Sequence, residues 1–357
     1  MSEKWIVTGG CGFAGSNLTA ALLQDGIEVV VLDNLARHGS ADNLAWLKER
    51  AQQPGAGRFT HLHRDTRNAA DVADAFARHG AGTTAVAHLA GQVAMTTSLE
   101  RPRYDFEVNA LGALNLLEAA RAHAGAAVVM FSSTNKVYGD LSHLRHVEAD
   151  TRWELPDAPA GVDEKTPLDF QSPYGCSKGA ADQYFLDFHR MFGLRTVVFR
   201  HSSIYGGRQY ATYDQGWVGW FCAEVLRQQR EAGAGRAVAP FTISGDGKQV
   251  RDLLHADDFV ACYRTVAARP EACLGRAFNI GGGPANASSL LELFADLERL
   301  TGQRAVFTKL PVRQGDQRVF VADTRALEQA VGWRPRVEKA VGLERMLAWV
   351  VEVQRRG

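Results

Sequence analysis

Three glycines at three-residue spacing, Gly9, Gly12 and Gly15 in IVTGGCGFAGSNL, stand between a short apolar run and a helical pattern. A chain that turns this sharply from strand to helix has few folds open to it. The first glycine permits the tight turn, the second lets backbone approach an anion, and the third lets the helix pack closely on the strand; the helix N-terminus then faces bound phosphates. The spacing alone is weak, and its context gives it meaning.

That context is an alternation. Apolar runs (KWIVTGG, EVVVLDN, RFTHLHRD, TAVAHLAG, AAVVMFSST, RTVVFRHSS) are separated by helical stretches such as NLTAALLQDG, ADVADAFARHG and YDFEVNALGALNLLEAARAH. Short β-branched or apolar runs divided by helix-length segments predict βαβ units and a parallel sheet covered on both faces. The expected fold class is α/β, a doubly wound, Rossmann-type parallel sheet with a smaller C-terminal α/β domain. The first domain is expected over residues 1–205 with later returns near 252–280, and the second mainly over 206–357. Beyond Gly206 the pattern loosens into a Trp- and Gly-rich stretch, a strand in PFTIS, and helices near Ala256–Ala267, Ser289–Leu300 and Val341–Val353. The segment from Asp140 to Asp169, rich in Asp, Pro and Gly, reads as a long surface loop.

The 357 residues carry 40 basic and 40 acidic side chains, so no electrostatic footprint for nucleic acid or an anionic membrane is present and a small-molecule partner is expected. MSEKWIVTGG has no basic segment before an apolar core, and no window approaches about 18 uninterrupted apolar residues, which together predict a soluble, cytoplasmic protein. Cys11, Cys176, Cys222, Cys262 and Cys273 are scattered without metal-ligand spacing, so free thiols and no metal are expected.

EVVVLDN ends in Asp33, 18 residues after Gly15. A carboxylate there accepts hydrogen bonds from a ribose diol and repels a 2′-phosphate, which favours NAD over NADP; nearby Arg37 keeps some NADP tolerance open, and Asp33 as a mere cap of the following turn is the plainer alternative. HRDTRN supplies Asp65 toward the adenine amine, and HLAGQ supplies Leu89, Ala90 and Gln92 beside the nicotinamide ribose. Phe13 and Ala14 in the glycine turn, Asn34 beside Asp33, Thr66 beside Asp65, and His201 at the end of RTVVFRHSS complete the expected cofactor contacts. His88 is expected to be a packing residue.

MFSSTNKVYG ends a strand in the hydroxyl cluster Ser132, Ser133 and Thr134, and SPYGCSK brings Tyr174 and Lys178 four residues apart at the start of a helix. Residues i and i+4 of a helix share one face about 5–6 Å apart. A lysine there is expected to stabilise the phenolate and lower the tyrosine pKa from about 10 toward working pH, as an acid–base catalyst needs. Tyr-x-x-x-Lys is common by chance; following a nucleotide-binding half and a Ser/Thr-ended strand, it is expected to be catalytic with Thr134.

At these residues the chain resembles the extended short-chain dehydrogenase/reductase superfamily over essentially its whole length. More narrowly it resembles the nucleotide-sugar epimerases of that superfamily that invert C2 of a CDP-linked 3,6-dideoxyhexose, in HLAGQVAMTTS, FSSTNKVYGD, LDFQSPYGCSKGAADQY, VVFRHSSIYGGRQYATYDQGWVGWF, FTISGDGKQVRDLLHADD and LPVRQGDQRVFVAD. The resemblance implies Thr134, Tyr174 and Lys178 as the catalytic set, Asn109 as a structural and cofactor-side support, and tightly held NAD. It implies Arg251 and Arg313 as diphosphate clamps, Asp316 near the nucleotide ribose, and Gln215 and Trp217 near the base or diphosphate. Ser203 falls where sugar epimerases often carry asparagine. The plainer readings are surface ion pairs for the arginines and core packing for Trp217 and Trp220.

The 4,6-dehydratases of this superfamily place an Asp-Glu pair directly after the threonine, where this chain has Asn135 and Lys136. Loss of water is therefore disfavoured. A 3,6-dideoxy sugar lacks oxygen at C3, and a ketone at C4 acidifies only C3 and C5, so inversion at C2 requires oxidation at C2 itself. The helices near Tyr104–His123 and Tyr174–Phe192 resemble the pair that forms four-helix interfaces in this superfamily, which implies a homodimer or homotetramer; their apolar stripes serve equally well for packing on the sheet. The segment 141–161 resembles the family least. Another nucleotide-sugar epimerase acting at C2 or C4, or an NAD-binding protein without activity, remains open at this point.

Overall fold

The computed structural model describes residues 3–312 and 315–356. Seven parallel strands form the central sheet: β1 Lys4–Thr8, β2 Glu28–Asp33, β3 Phe59–His63, β4 Ala85–His88, β5 Val128–Thr134, β6 Thr196–His201 and β7 Arg276–Ile280. Their spatial order is β7-β6-β5-β4-β1-β2-β3. Trp5 of β1 lies opposite Val29 of β2 on one side and Ala85 of β4 on the other. The strand order reverses at β1, and the crevice beyond the carboxyl ends at such a switch point is where ligands bind in open α/β sheets.

Period-two alternation along fully buried strands divides the apolar side chains into two layers. Val7, Val31, Ala87, Met130 and Phe199 pack on one face with Leu18, Leu22, Phe259 and Tyr263. Ile6, Val30, Val86, Val129 and Val198 pack on the other with Phe76, Leu116, Leu117 and Phe185.

The smaller half is built on the strand Val250–His255, which pairs with Ser203–Tyr205, Ala287–Ser289 and Val319–Phe320. A second pair, Phe241–Ser244 with Phe307–Leu310, lies beside it. The helices Trp217–Gly233, Leu290–Thr301 and Lys339–Arg356 bury Phe221, Val225, Phe294, Leu343 and Met346 against these strands. The chain returns to the first layer through helix Ala256–Ala268 and β7, and once more through Arg325–Val331 and Trp333, whose indole donates to the Asp258 carbonyl at 3.1 Å.

Two expectations need correction. The segment from Asp140 to Asp169 is no simple surface loop: Leu141, Leu155 and Val162 are buried against Val250, Val319 and Phe320 of the small sheet. It forms a short antiparallel pair, Val147–Glu148 with Trp153–Glu154, and Arg152 Nε donates to Glu292 at 2.6 Å. Its sparse leucines and valines have no period, so their partners, far downstream at Val250, Val319 and Phe320, cannot be read locally. The helix expected over Tyr104–His123 is interrupted by a π-helical turn, Glu107–Leu111, between α segments Pro102–Phe106 and Gly112–His123. Such turns shift side chains off the regular helical face, frequently at functional sites.

Candidate active site

The carboxyl ends of β1, β2, β4, β5 and β6 open into a cleft of about 740 Å³ roofed by the smaller half. That volume lies within the usual range of small-molecule sites. Gly9, Gly12, Phe13, Ala14 and Gly15 line its floor. Gly9 has φ +69°, and a Cβ there would lie 2.6 Å from Ala90 N; a Cβ on Gly15 would lie 2.1 Å from the Gly9 carbonyl. These two positions admit only glycine. A Cβ on Gly12 would meet only the Gly9 oxygen, at 3.2 Å, which leaves backbone bare toward the cleft. Helix Phe13–Gln24 starts there with no side-chain cap, so its first N–H groups suit an anion.

Asp33 ends β2 with one carboxylate oxygen accepting Cys11 N–H and the other Leu35 N–H, both at 2.8 Å. It caps the turn and also lines the cleft, as do Asn34, Arg37, Asp65 and Thr66. The Arg67 guanidinium and Asn34 amide hold the Asp65 carboxyl down at about 2. A bare helix N-terminus followed by a fixed carboxylate at the end of β2 fits a dinucleotide with a free ribose diol.

Leu89 and Ala90 also line the cleft, whereas Gln92 and Asn109 do not. Gln92 turns inward, its amide donating to Asp105 at 2.7 Å and to the Ala94 carbonyl at 2.8 Å. Asn109, carried by the π turn, accepts Gln92 N–H at 2.9 Å and donates to Ser177 at 3.1 Å. The structure thus places both side chains behind the cleft wall, as a brace between β4 and helix Ser172–Phe192; for Asn109 this is the structural support that the resemblance implies, and for Gln92 it differs from the expected place beside the nicotinamide ribose. Asp105, the hub of that brace, was missed; its carboxylate takes bonds from Gln92, Asn109 and Ser177, and burial pushes its pKa up.

Thr134, Tyr174 and Lys178 meet at one wall. Thr134 is the last residue of β5; Tyr174 and Lys178 lie in the first two turns of Ser172–Phe192, a helix with proline in its first turn and Gly193 at φ +68° as its stop. The Thr134 hydroxyl donates to Asn135 Oδ1 at 3.3 Å and accepts Lys136 N–H at 3.2 Å. The expected lowering of the tyrosine pKa is not found: burial pushes Tyr174 up to about 12, with Thr134 opposing. The Lys178 ammonium donates to the Ser132 carbonyl and lies 4.3 Å from the centre of the Phe131 ring; burial pushes it down to about 7, with Asp105 and Asp182 opposing. Desolvation outweighs pairing because the cation bonds a neutral carbonyl and a ring.

His88 is wholly buried, bonded to Thr8 at 2.7 Å and stacked near Phe131 and Phe185. His201 lies between Ser132 and Tyr263 at 3.3 Å each and lines the cleft. Burial holds both histidines down at about 3, so each is neutral.

Across the cleft stand Ser203, Gln215, Trp217, Trp220, Arg251 and Asp316. Trp217 Nε1 donates to Ser203 Oγ at 3.1 Å. Arg251 Nη2 donates to Asp316 Oδ1 at 2.7 Å. Arg313 lies outside the described residues. Asn135 is tied to Gln317, its amide donating at 2.8 Å, and the Lys136 ammonium, which lines the cleft, bonds Asp316. Among the described residues no three His, Cys, Asp or Glu side chains gather as a metal site, and no helix is long and apolar enough to cross a membrane.

A family model described as the NAD dependent epimerase/dehydratase family matches residues 5–281. The CDP-paratose 2-epimerase of Salmonella typhi is 51% identical over 350 residues, covering 98% of this chain and 100% of that protein. The UDP-glucose 4-epimerase of Thermotoga maritima, solved with UDP-glucose, matches 98% of this chain and 99% of its own with a TM-score of 0.80 at 28% identity. That of Thermus thermophilus, solved in complex with NAD, has a TM-score of 0.76 at 28% identity over the same shares. The chain belongs to the NAD-dependent epimerase/dehydratase family.

Proposed function

We propose that the protein is an NAD-dependent nucleotide-sugar epimerase that inverts C2 of a CDP-linked 3,6-dideoxyhexose, converting CDP-paratose to CDP-tyvelose through a transient 2-keto sugar. The observation that carries this reading is the full-length likeness to the 2-epimerase combined with a site that holds Thr134, Tyr174 and Lys178 and, at the two positions after Thr134, no carboxylate. The glycine turn, Asp33 and Asp65 would hold the dinucleotide, in a domain formed mainly within residues 1–205 with the later return through helix Ala256–Ala268 and β7; Ser203, Gln215, Trp217, Arg251, Arg313 and Asp316 would hold the nucleotide sugar, mainly within 206–357.

Bound NAD supplies a reversible hydride acceptor and a positively charged ring. Tyr174 takes the proton of the C2 hydroxyl and later returns it, and Thr134, lining the same cleft, orients the oxygen. Lys178 stabilises the phenolate while Tyr174 is deprotonated. The cations of the opposite wall keep the diphosphate tethered while the keto sugar turns its other face. Neutral His88 and His201 leave Tyr174 as the acid–base at this wall.

The protein is further proposed to work in the cytoplasm as a homodimer or homotetramer. Supporting this, Phe106, Tyr184, Met191 and Phe192 are exposed on the two helices whose pairing the sequence suggests. The test is NMR of CDP-paratose incubated with purified protein in D₂O. The expected product is the C2 epimer with protium retained at C2; deuterium at C2, or turnover that begins only on adding NADH, overturns the reading.

A further inference from the structure

Lys136 lies in the 3₁₀ turn Asn135–Tyr138 that follows β5 directly. Its N–H donates to the Thr134 hydroxyl at 3.2 Å, and its side chain lines the same wall as Thr134 and Tyr174. The ammonium bonds Asp316 Oδ1 at 3.2 Å and the Gly315 carbonyl at 3.3 Å. Arg251, from the opposite half, donates to the same Asp316 Oδ1 at 2.7 Å. Both cations are largely shielded, at 17% and 11% side-chain exposure. Two cations drawn out of water onto one carboxylate oxygen is a costly arrangement for stability alone. It does suit an anion that arrives with more than one negative charge.

We propose that Lys136, together with Arg251, grips the sugar-proximal phosphate of the substrate and thereby sets C2, rather than C4, against Tyr174. This rests on the 2-epimerase reading above. The phosphate is esterified to the oxygen on C1. C2 is bonded to C1, whereas C4 lies across the ring. An enzyme that oxidises C4 holds its phosphate a ring's width from its acid–base tyrosine; one that oxidises C2 needs a cation within one side chain's reach of it. Lys136, two residues from Thr134, is such a cation. A carboxylate at this position would repel the same phosphate, which gives the lysine a role beyond the absence of dehydration chemistry. Burial lowers the lysine's pKa against the pull of Asp316, so an added phosphate also secures its charge.

The experiment compares calorimetric affinities of the full-length protein for CDP and for CMP, which lacks the sugar-proximal phosphate, in wild type, Lys136→Met and Lys136→Gln. The glutamine variant keeps a donor toward Asp316 and Gly315 in case the methionine variant folds poorly, and retained NAD reports on folding. The expected result is a CDP-over-CMP preference reduced about tenfold in the variants, with CMP affinity nearly unchanged and KM for CDP-paratose raised by a similar factor. A preference that survives in the variants, or equal losses for both nucleotides as a purely structural tie would give, overturns the assignment while wild-type turnover of CDP-paratose stands. A wild-type protein that leaves CDP-paratose unchanged and epimerises C4 of another nucleotide sugar overturns the reading beneath it.

Discussion

At the end of the cleft proposed for the dinucleotide, Asp33 is fixed by Cys11 and Leu35, and Asp65 by Asn34 and Arg67, partners separated by 22, 2, 31 and 2 residues. At the end proposed for the sugar, Arg251 and Lys136 reach Asp316 across 65 and 180 residues. One end is assembled within the first strands and their connections; the other exists only when the two halves have docked. Damage to the first should therefore be local, and damage to the second should register on nucleotide-sugar binding while dinucleotide retention persists.

The largest effect is expected where the two ends meet. Tyr174→Phe removes the proton carrier and leaves the ring, so turnover of CDP-paratose should fall about 10²- to 10⁴-fold while retained NAD and CDP affinity stay near wild type. A turnover that survives would break the assignment of Tyr174 as acid–base. Next, Gly15→Ala would set a methyl 2.1 Å from the Gly9 carbonyl, a backbone atom that cannot swing away. At about 1–3 kcal/mol of strain, NAD content after purification should drop sharply while CDP still binds. Equal loss of both ligands would show that the ends are not separable.

Arg251→Ala is the reciprocal change. Loss of charge-assisted bonds to a diphosphate, about 1.5–3 kcal/mol, should raise KM for CDP-paratose about ten- to a hundredfold and leave NAD content unchanged. Loss of NAD from this variant would contradict the division of labour.

The same contrast explains what could be read from the chain. Gly9, Gly12, Gly15 and Asp33 form a local pattern whose turn, close approach and strand end all fall within one strand–helix–strand unit, and Tyr174 and Lys178 share a helix face by spacing alone. Gln92 is expected beside the nicotinamide ribose, yet the buried Asp105 draws its side chain behind the wall, where Asn109 on the π turn joins it as a support. Lys136 was legible only as something other than a carboxylate, because its partner Asp316 is brought to it by the docked small sheet. The tyrosine pKa was misjudged for a related reason: spacing places the lysine, but only the packed structure shows that its ammonium bonds the Ser132 carbonyl and that burial dominates both groups. The return of Arg325–Val331 to the first core left no periodic signal of its own.

The smallest effect concerns the seam between the halves. Asp252 lies in the strand Val250–His255, next to Arg251, wholly buried, with one oxygen accepting Gly283 N–H at 2.9 Å. Burial pushes its carboxyl up to about 6, against hydrogen bonds that favour the ion. A carboxyl raised in the folded state stabilises the protein while it is protonated: the contribution is full below the unfolded value near 4 and is lost as pH rises through about 6. Asp252→Asn keeps an acceptor for Gly283 and never ionises. The variant should match wild type near pH 4 and exceed it by about 1–3 kcal/mol at pH 8, read as a gap in thermal midpoint that opens between those pH values. A gap that is constant with pH would mean that folding leaves the Asp252 pKa unshifted, and that the seam beside Arg251 does not hold a neutral acid.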